Sequence, residues 1–84
     1  MEQTKQQTSG ELLCGVSFNP SQNPKVDLVK SLFAQIADIT IQEYEERFGN
    51  KSVENGFIAS QIYSHSLGEI LNAQMSCVKL LTFK

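Results

Sequence analysis

Side chains suited to binding a nucleotide lie close together between positions 18 and 30. The ring of Phe18 can stack on a base, and the amide of Asn19 offers both a donor and an acceptor for a base edge. Lys25 and Lys30 each supply a positive charge that suits a phosphate. An alternative needs no ligand: Phe18 acts as a hydrophobic staple at the start of a helix and both lysines are solvated. Composition and spacing alone favour that alternative.

A second polar cluster runs from Ser60 to Glu69. His65 and Glu69 are one helical turn apart, so the carboxylate can orient the imidazole, but adjacent residues on a helix do not face each other. Ser64 and Ser66 therefore form no nucleophile and base pair with His65. We predict no catalytic residue and expect a protein that is not an enzyme; a small hydrolase using His65 and Glu69 is a weaker alternative. The small side chains here favour close approach of a neighbouring helix or of a ligand.

Cofactor and metal chemistry have no motif in this sequence. Neither Cys14 nor Cys77 has a second Cys or His at metal-ligand spacing, so we interpret both as free thiols. Phosphate-binding loops, dinucleotide-binding fingerprints and zinc signatures are absent from the sequence. The expectation is no cofactor and no metal.

The composition is that of a small globular protein. Of its 84 residues 40% are hydrophobic and 19% are charged, and the net charge of -2 argues against binding DNA or RNA duplexes. No apolar run is long enough to span a membrane, and residues 1–10 are too polar for a secretory signal. We expect a cytoplasmic protein. A chain this short buries a low fraction of its surface alone, which favours self-association.

The spacing of apolar residues predicts an all-α fold. Residues 1–11 are polar and are predicted to form a mobile, disordered tail, and residues 12–84 are predicted to form one domain. Asn23 and Pro24 suit a helix start, which predicts a helix over about 24–48, and a second proline-free helix is predicted over about 57–82. Two such helices joined by a short connector pack as an antiparallel hairpin.

The second predicted helix carries two apolar stripes, and one partner helix cannot cover both. The hairpin is therefore expected to be completed by homo-oligomerisation or by a partner. The first stripe comprises Ile58, Ile62, Ala73, Cys77 and Leu80, and the second comprises Tyr63, Leu67, Leu71, Val78 and Leu81.

Two segments carry a family resemblance: FNPSQNPKVDLVK at 18–30 and AQMSCVKLLT at 73–82. The first is similar to the FNPSG-like loop and KVDxIK helix start of phage anti-CBASS cyclic-oligonucleotide sponges, and the second is similar to that family's AQMWAVKALT-like ending. Gln22 stands where the family pattern has Gly, and Ser76 stands where it has Trp.

The resemblance implies a compact homo-oligomer, typically a hexamer, in the host bacterial cytoplasm. It would bind cyclic dinucleotides such as cyclic GMP-AMP and, at separate pockets, cyclic trinucleotides, without cleaving them, and so block CBASS anti-phage signalling. Phe18 would stack on a base, Asn19 would be a polar contact and Lys30 would lie near phosphate. Ser64 and Gly68 match a pocket-lining stretch of the last helix. The alternative function is a helical interaction module whose second-helix stripe docks a partner protein.

Overall fold

The computed structural model describes residues 6–49 and 54–84, and these residues form three helices and no strand. Helix α1 spans Ser9–Cys14, α2 spans Pro24–Phe48 and α3 spans Gly56–Thr82. The all-α prediction is confirmed at this level. Within the described ranges, no helix has the length and apolarity needed to cross a membrane.

Helix α1 corrects the boundary of the predicted tail. Residues 1–5 of that tail lie outside the described residues, but residues 9–11 are helical. The reason is a capping box: the Thr8 hydroxyl accepts from the Glu11 backbone N–H at 3.1 Å, and the Glu11 carboxylate accepts from the Thr8 backbone N–H at 2.9 Å. Gly15 ends the helix at a φ of 63°, where a residue without Cβ is favoured. The sequence analysis missed this signal.

Helices α2 and α3 match the predicted ranges to within one residue. Asn23 caps α2 by accepting from the Lys25 backbone N–H at 2.8 Å, with Pro24 at the first helical position, as predicted. Of the predicted connector 51–56, positions 51–53 lie outside the described residues, and Gly56 already belongs to α3.

One carboxylate on α2 holds the start of α1. Asp38 accepts from the Thr8 hydroxyl and from the Gly10 backbone N–H, each at 2.7 Å. The backbone approaches α2 so closely that a Cβ on Gly10 would lie 2.3 Å from the Ala34 carbonyl oxygen. Residue 10 must therefore be glycine for α1 to keep this position.

Helices α2 and α3 contact each other near both ends. Tyr44, late in α2, stacks on Tyr63, early in α3, and Val26, early in α2, borders the same cavity as Val78, late in α3. The buried apolar core of the described residues is small: it comprises Cys14, Val26, Ala34 and Ala37.

The two α3 stripes differ as the sequence analysis expects. Tyr63, Leu67, Leu71, Val78 and Leu81 are half-buried, whereas Ile58, Ile62, Ala73, Cys77 and Leu80 are all exposed. On α2, the apolar side chains of Leu32, Ile36 and Ile39 are also exposed. The buried side of α2 instead includes Val26, Lys30, Ala34 and Ala37.

The chain exposes more surface than a compact monomer of its size. Its accessible area is 6554 Å², whereas a chain of 9.4 kDa is expected to expose about 5,000 Å². Its radius of gyration is 15.2 Å, against about 12 Å for a compact chain of this length.

Candidate functional site

The ammonium group of Lys30 holds the segment between α1 and α2. It donates to the Gly15 carbonyl oxygen at 3.1 Å and to the Phe18 carbonyl oxygen, and the Lys30 residue is only 6% exposed. The Gly15 carbonyl lies at the C-terminal end of α1, which carries partial negative charge and suits a buried cation. An ammonium has three N–H groups, and within the described residues two of them are used.

The ring of Phe18 is held beside this cation but is not buried. The Lys30 ammonium nitrogen lies 5.3 Å from the ring centroid, within the range of a cation–π interaction. Phe18 is nevertheless 68% exposed. One face of the ring is therefore engaged by the cation, and the opposite face is available for stacking.

Asn19 organises the loop. Its amide nitrogen donates to the Asn23 carbonyl oxygen at 2.9 Å and to the Asp27 carboxylate at 3.0 Å, and its side-chain oxygen accepts from the Ser21 hydroxyl at 2.8 Å. Both donors of the amide are thereby used, so only one lone pair on its oxygen remains for a base edge. The predicted role of Asn19 as a paired donor and acceptor does not match this arrangement, and its place here is to hold Phe18 and Ser21 in position.

Phe18, Asn19 and Lys30 line one cavity of about 220 Å³, so the structure brings three of the predicted site residues together. The sequence analysis missed the opposite wall, which Val78 and Thr82 form from the last turns of α3. The predicted hairpin would place the end of its second helix beside the start of its first, so this wall could have been expected from the sequence. Pro20, Ser21 and Val26 complete the lining.

Ser64 and Gly68 do not belong to the lining of this cavity. Both are exposed on α3, and a Cβ built on Gly68 would meet nothing within 4 Å. Glycine inside a helix costs about 1 kcal/mol relative to alanine, and no contact in the described chain requires it at this position.

A second groove, of about 470 Å³, lies where the end of α2 meets the start of α3. Its aromatic rings are engaged with each other: Tyr44 and Tyr63 stack at 4.0 Å between centroids with an interplanar angle of 3°, and Tyr44 and Phe48 stack at 5.6 Å. Arg47 lies 5.0 Å from the Phe48 ring centroid and 3.9 Å from the Glu43 carboxylate. Burial raises the pKa of the Tyr63 phenol, and the nearby Glu45 charge adds to the effect.

The remaining reactive groups do not assemble into a site. His65 and Glu69 lie 3.4 Å apart, with side chains 75% and 63% exposed. Burial raises the pKa of the Cys14 thiol and the Asp38 charge raises it further, which makes the thiol less reactive. No group of three or more His, Cys, Asp and Glu side chains in the described ranges could hold a metal ion.

Comparisons of the chain with protein-family models, with curated proteins and with solved structures find no match.

Proposed function

We propose that this protein binds cyclic oligonucleotide second messengers and sequesters them without cleavage. Its targets would be cyclic dinucleotides such as cyclic GMP-AMP and, at separate pockets, cyclic trinucleotides. Acting in the host bacterial cytoplasm during phage infection, it would deprive CBASS effectors of their activating signal. The observation that carries the proposal is the exposed Phe18 ring, held over the buried Lys30 ammonium at the mouth of a cavity.

The geometry of this cavity suits one nucleotide unit. A base can stack on the free face of Phe18, and the remaining N–H of Lys30 can approach a phosphate oxygen. The Ser21 and Thr82 hydroxyl oxygens line the same cavity. Their protons are donated to Asn19 and to the Val78 carbonyl oxygen, so each oxygen can accept from a base edge.

Loop geometry also supports the family resemblance. Gln22 has a φ of 57°, a conformation that glycine adopts without strain. The family pattern has Gly at this position. A backbone conformation that favours glycine therefore occurs at the position where the family pattern has glycine.

The proposal includes an antiparallel hairpin that homo-oligomerises to complete its pockets, with a hexamer as the assembly that the resemblance implies. A cavity of about 220 Å³ is smaller than the roughly 300–1,000 Å³ of typical small-molecule sites. It therefore takes one base, and the rest of a cyclic dinucleotide must contact another protomer. Ser64 and Gly68, exposed on α3, would contribute where such protomers meet.

Isothermal titration calorimetry with a panel of cyclic di- and trinucleotides tests the proposal, followed by heat release and chromatography of the ligand. Tight binding with intact ligand recovered is the expected result. Phe18→Ala should weaken binding by about 1–3 kcal/mol, the usual contribution of one stacked base, while Leu28→Ala, a change at an exposed residue outside the cavity, serves as the matched control. Unchanged affinity in Phe18→Ala would mean that the site is assigned to the wrong residues, and no binding by any nucleotide would refute the sponge.

A helical interaction module is the second candidate, and the exposed stripe of α3 favours it. Such a module would be monomeric or dimeric alone and would bind none of the nucleotides. Recovery of a cleaved ligand would instead point to a hydrolase using His65 and Glu69, whose side chains lie within 3.4 Å.

A further inference from the structure

We infer that the cavity beside Phe18 selects guanine among the bases of a cyclic nucleotide. Apart from Lys30, the polar side chains that line this cavity have only acceptor oxygens left for a ligand, and the edge of guanine carries two adjacent N–H donors. These oxygens belong to Asn19, Ser21 and Thr82. The inference rests on the proposed function and specifies the base that this site would prefer.

The orientation of the Asn19 amide is fixed by the chemistry of its partners. Its nitrogen lies 2.9 Å from the Asn23 carbonyl oxygen and 3.0 Å from an Asp27 carboxylate oxygen. A carbonyl and an ionised carboxylate can only accept, so the amide nitrogen must face them and the amide oxygen must face Ser21. Because both N–H groups are engaged, Asn19 can offer a ligand only a lone pair on its oxygen.

The Ser21 hydroxyl is likewise fixed as an acceptor. Its oxygen lies 2.8 Å from the Asn19 side-chain oxygen, which can only accept, so the Ser21 proton must point there. The Asn23 backbone N–H donates to the same hydroxyl oxygen at 3.3 Å. The proton and one lone pair of Ser21 are thereby used, and one lone pair remains.

Thr82 adds an acceptor from the opposite wall of the cavity. Its hydroxyl donates to the Val78 carbonyl oxygen at 2.9 Å, one turn earlier in α3, which leaves the hydroxyl oxygen as an acceptor. Lys30 keeps one N–H, which the proposed function assigns to a phosphate. The lining side chains therefore present acceptor oxygens to a base edge from both walls.

A chain of hydrogen bonds strengthens the two acceptors on the loop. Ser21 donates to Asn19, and Asn19 donates to the Asp27 carboxylate. A group that donates towards an anion becomes a better acceptor, because hydrogen bonds in a chain polarise one another. Asp27 does not line the cavity, so it is a positioning residue that acts through Asn19.

Guanine fits this pattern better than the other bases do. Its Watson–Crick edge presents N1–H beside the N2 amino group, two neighbouring donors for the Asn19 and Ser21 oxygens, which are 2.8 Å apart. Adenine and cytosine each present an amino donor beside an acceptor nitrogen, and an amide recognises such a pair with one acceptor and one donor. Asn19 has no donor left for that purpose. Uracil has one N–H between two carbonyl oxygens, which would face the acceptor oxygens of the cavity.

Isothermal titration calorimetry with cyclic di-GMP, cyclic di-IMP and cyclic di-AMP tests the inference. Cyclic di-IMP differs from cyclic di-GMP only in lacking the N2 amino groups. Wild type should bind cyclic di-GMP at least about fivefold more tightly than cyclic di-IMP, the loss expected for one unmade hydrogen bond. Cyclic di-AMP, which also lacks the N1–H donors, should bind more weakly still.

Variants that each remove one acceptor should reduce this preference. Ser21→Ala and Thr82→Val should lower the preference for cyclic di-GMP over cyclic di-AMP by at least about threefold. Ser17→Ala is the matched control, because Ser17 is exposed and lies outside the cavity lining, and it should keep the wild-type preference. Circular dichroism checks that each variant remains helical.

Asp27→Asn tests the positioning role of the carboxylate. The new amide oxygen can still accept from Asn19, but the charge that polarises the hydrogen-bond chain is lost. The preference for cyclic di-GMP should therefore fall, whereas a purely structural role of Asp27 would weaken the binding of all three ligands equally.

Equal affinity of wild type for the three ligands, or a preference for cyclic di-AMP, would overturn this inference and leave the sponge intact. A preference for cyclic di-GMP that is unchanged in Ser21→Ala, Thr82→Val and Asp27→Asn would also overturn it, because the acceptors would then lie elsewhere. If none of the three ligands binds but another cyclic nucleotide does, only this inference fails. If no cyclic nucleotide binds at all, the proposed function fails with it.

Discussion

Helices α2 and α3 have a cation over an aromatic ring at each end: Lys30 and Phe18 at the loop end, and Arg47 and Phe48 at the turn end. The two contacts differ in which partner is exposed. At the loop end, Lys30 lies 5.3 Å from the Phe18 centroid and is buried, while Phe18 is exposed. At the turn end, Arg47 lies 5.0 Å from the Phe48 centroid, its side chain is 63% exposed and Phe48 is half-buried. The positions of cation and ring relative to solvent are thus reversed.

The difference separates aromatic rings that contact each other from one ring that has a free face for the proposed ligand. Tyr44 stacks on both Tyr63 and Phe48, so the rings at the turn end are already partners for each other. Phe18 has no aromatic partner among the described residues and receives only the cation. We therefore expect stability to depend on the rings at the turn end and ligand affinity on the ring at the loop end.

The largest expected effect comes from truncating one ring at each end. Tyr44→Ala should lower the free energy of unfolding by about 3 kcal/mol, because it removes two stacked contacts and half-buried surface. Phe18→Ala should change it by less than about 0.5 kcal/mol, since the ring is exposed. Urea unfolding followed by circular dichroism, at one fixed protein concentration, measures both. An equal loss in the two variants would show that Phe18 is a structural staple after all.

Replacing the two cations should give a smaller difference in stability, and here the larger loss should occur at the loop end. Lys30→Met leaves the Gly15 and Phe18 carbonyl oxygens without their donor and should cost about 2 kcal/mol. Arg47→Met should cost no more than about 0.5 kcal/mol, because exposed ion pairs contribute little. The same unfolding experiment distinguishes them, and near-equal values would contradict the buried role assigned to Lys30.

Two residues with positive φ provide a finer comparison. Gln22 at the loop end has a φ of 57° and Asn55 at the turn end has a φ of 66°. Gln22→Gly should stabilise the chain by about 1 kcal/mol, whereas Asn55→Gly should gain less because asparagine tolerates this conformation. Thermal unfolding of the two variants gives the answer, and a loss of stability in Gln22→Gly would mean that the glutamine side chain makes a contact worth more than the strain.

Helix positions were predictable from the sequence because their signals are local. Asn23 and Pro24 specified the start of α2, and the two α3 stripes separated into an exposed and a half-buried set as expected. The short helix α1 was missed because its capping box lies in a polar segment that resembles a disordered tail. A pattern of composition does not reveal such a pair of reciprocal hydrogen bonds.

The site was predicted less completely because its residues depend on tertiary contacts. Phe18, Asn19 and Lys30 were selected by the family resemblance from residues of suitable chemistry, and they do line one cavity. Their structural roles were not predictable, because they depend on contacts between distant residues. The Lys30 ammonium donates to backbone carbonyl oxygens 12 and 15 residues away in sequence. Thr82 joins the same cavity from the far end of the chain, a contact that requires knowing how α3 lies against α2.

The smallest expected effect is the dependence of stability on pH that Tyr63 contributes at the turn end. Burial raises the pKa of Tyr63 above its ordinary 10.0, and the Glu45 charge and Tyr44 add to the shift. The folded chain therefore holds the phenol proton more tightly than the unfolded chain. Stability is unaffected below the unfolded pKa and is lost as pH rises through the folded pKa.

The melting temperature should accordingly fall as the pH rises above the ordinary phenol pKa of 10.0, and the fall should be shallower in Tyr63→Phe. Phe18→Ala should retain the wild-type slope, because it alters only the loop end. If the melting temperature of Tyr63→Phe has the same pH dependence as wild type, the aromatic stack does not desolvate the phenol. The rings at the turn end would then be no better shielded from solvent than Phe18.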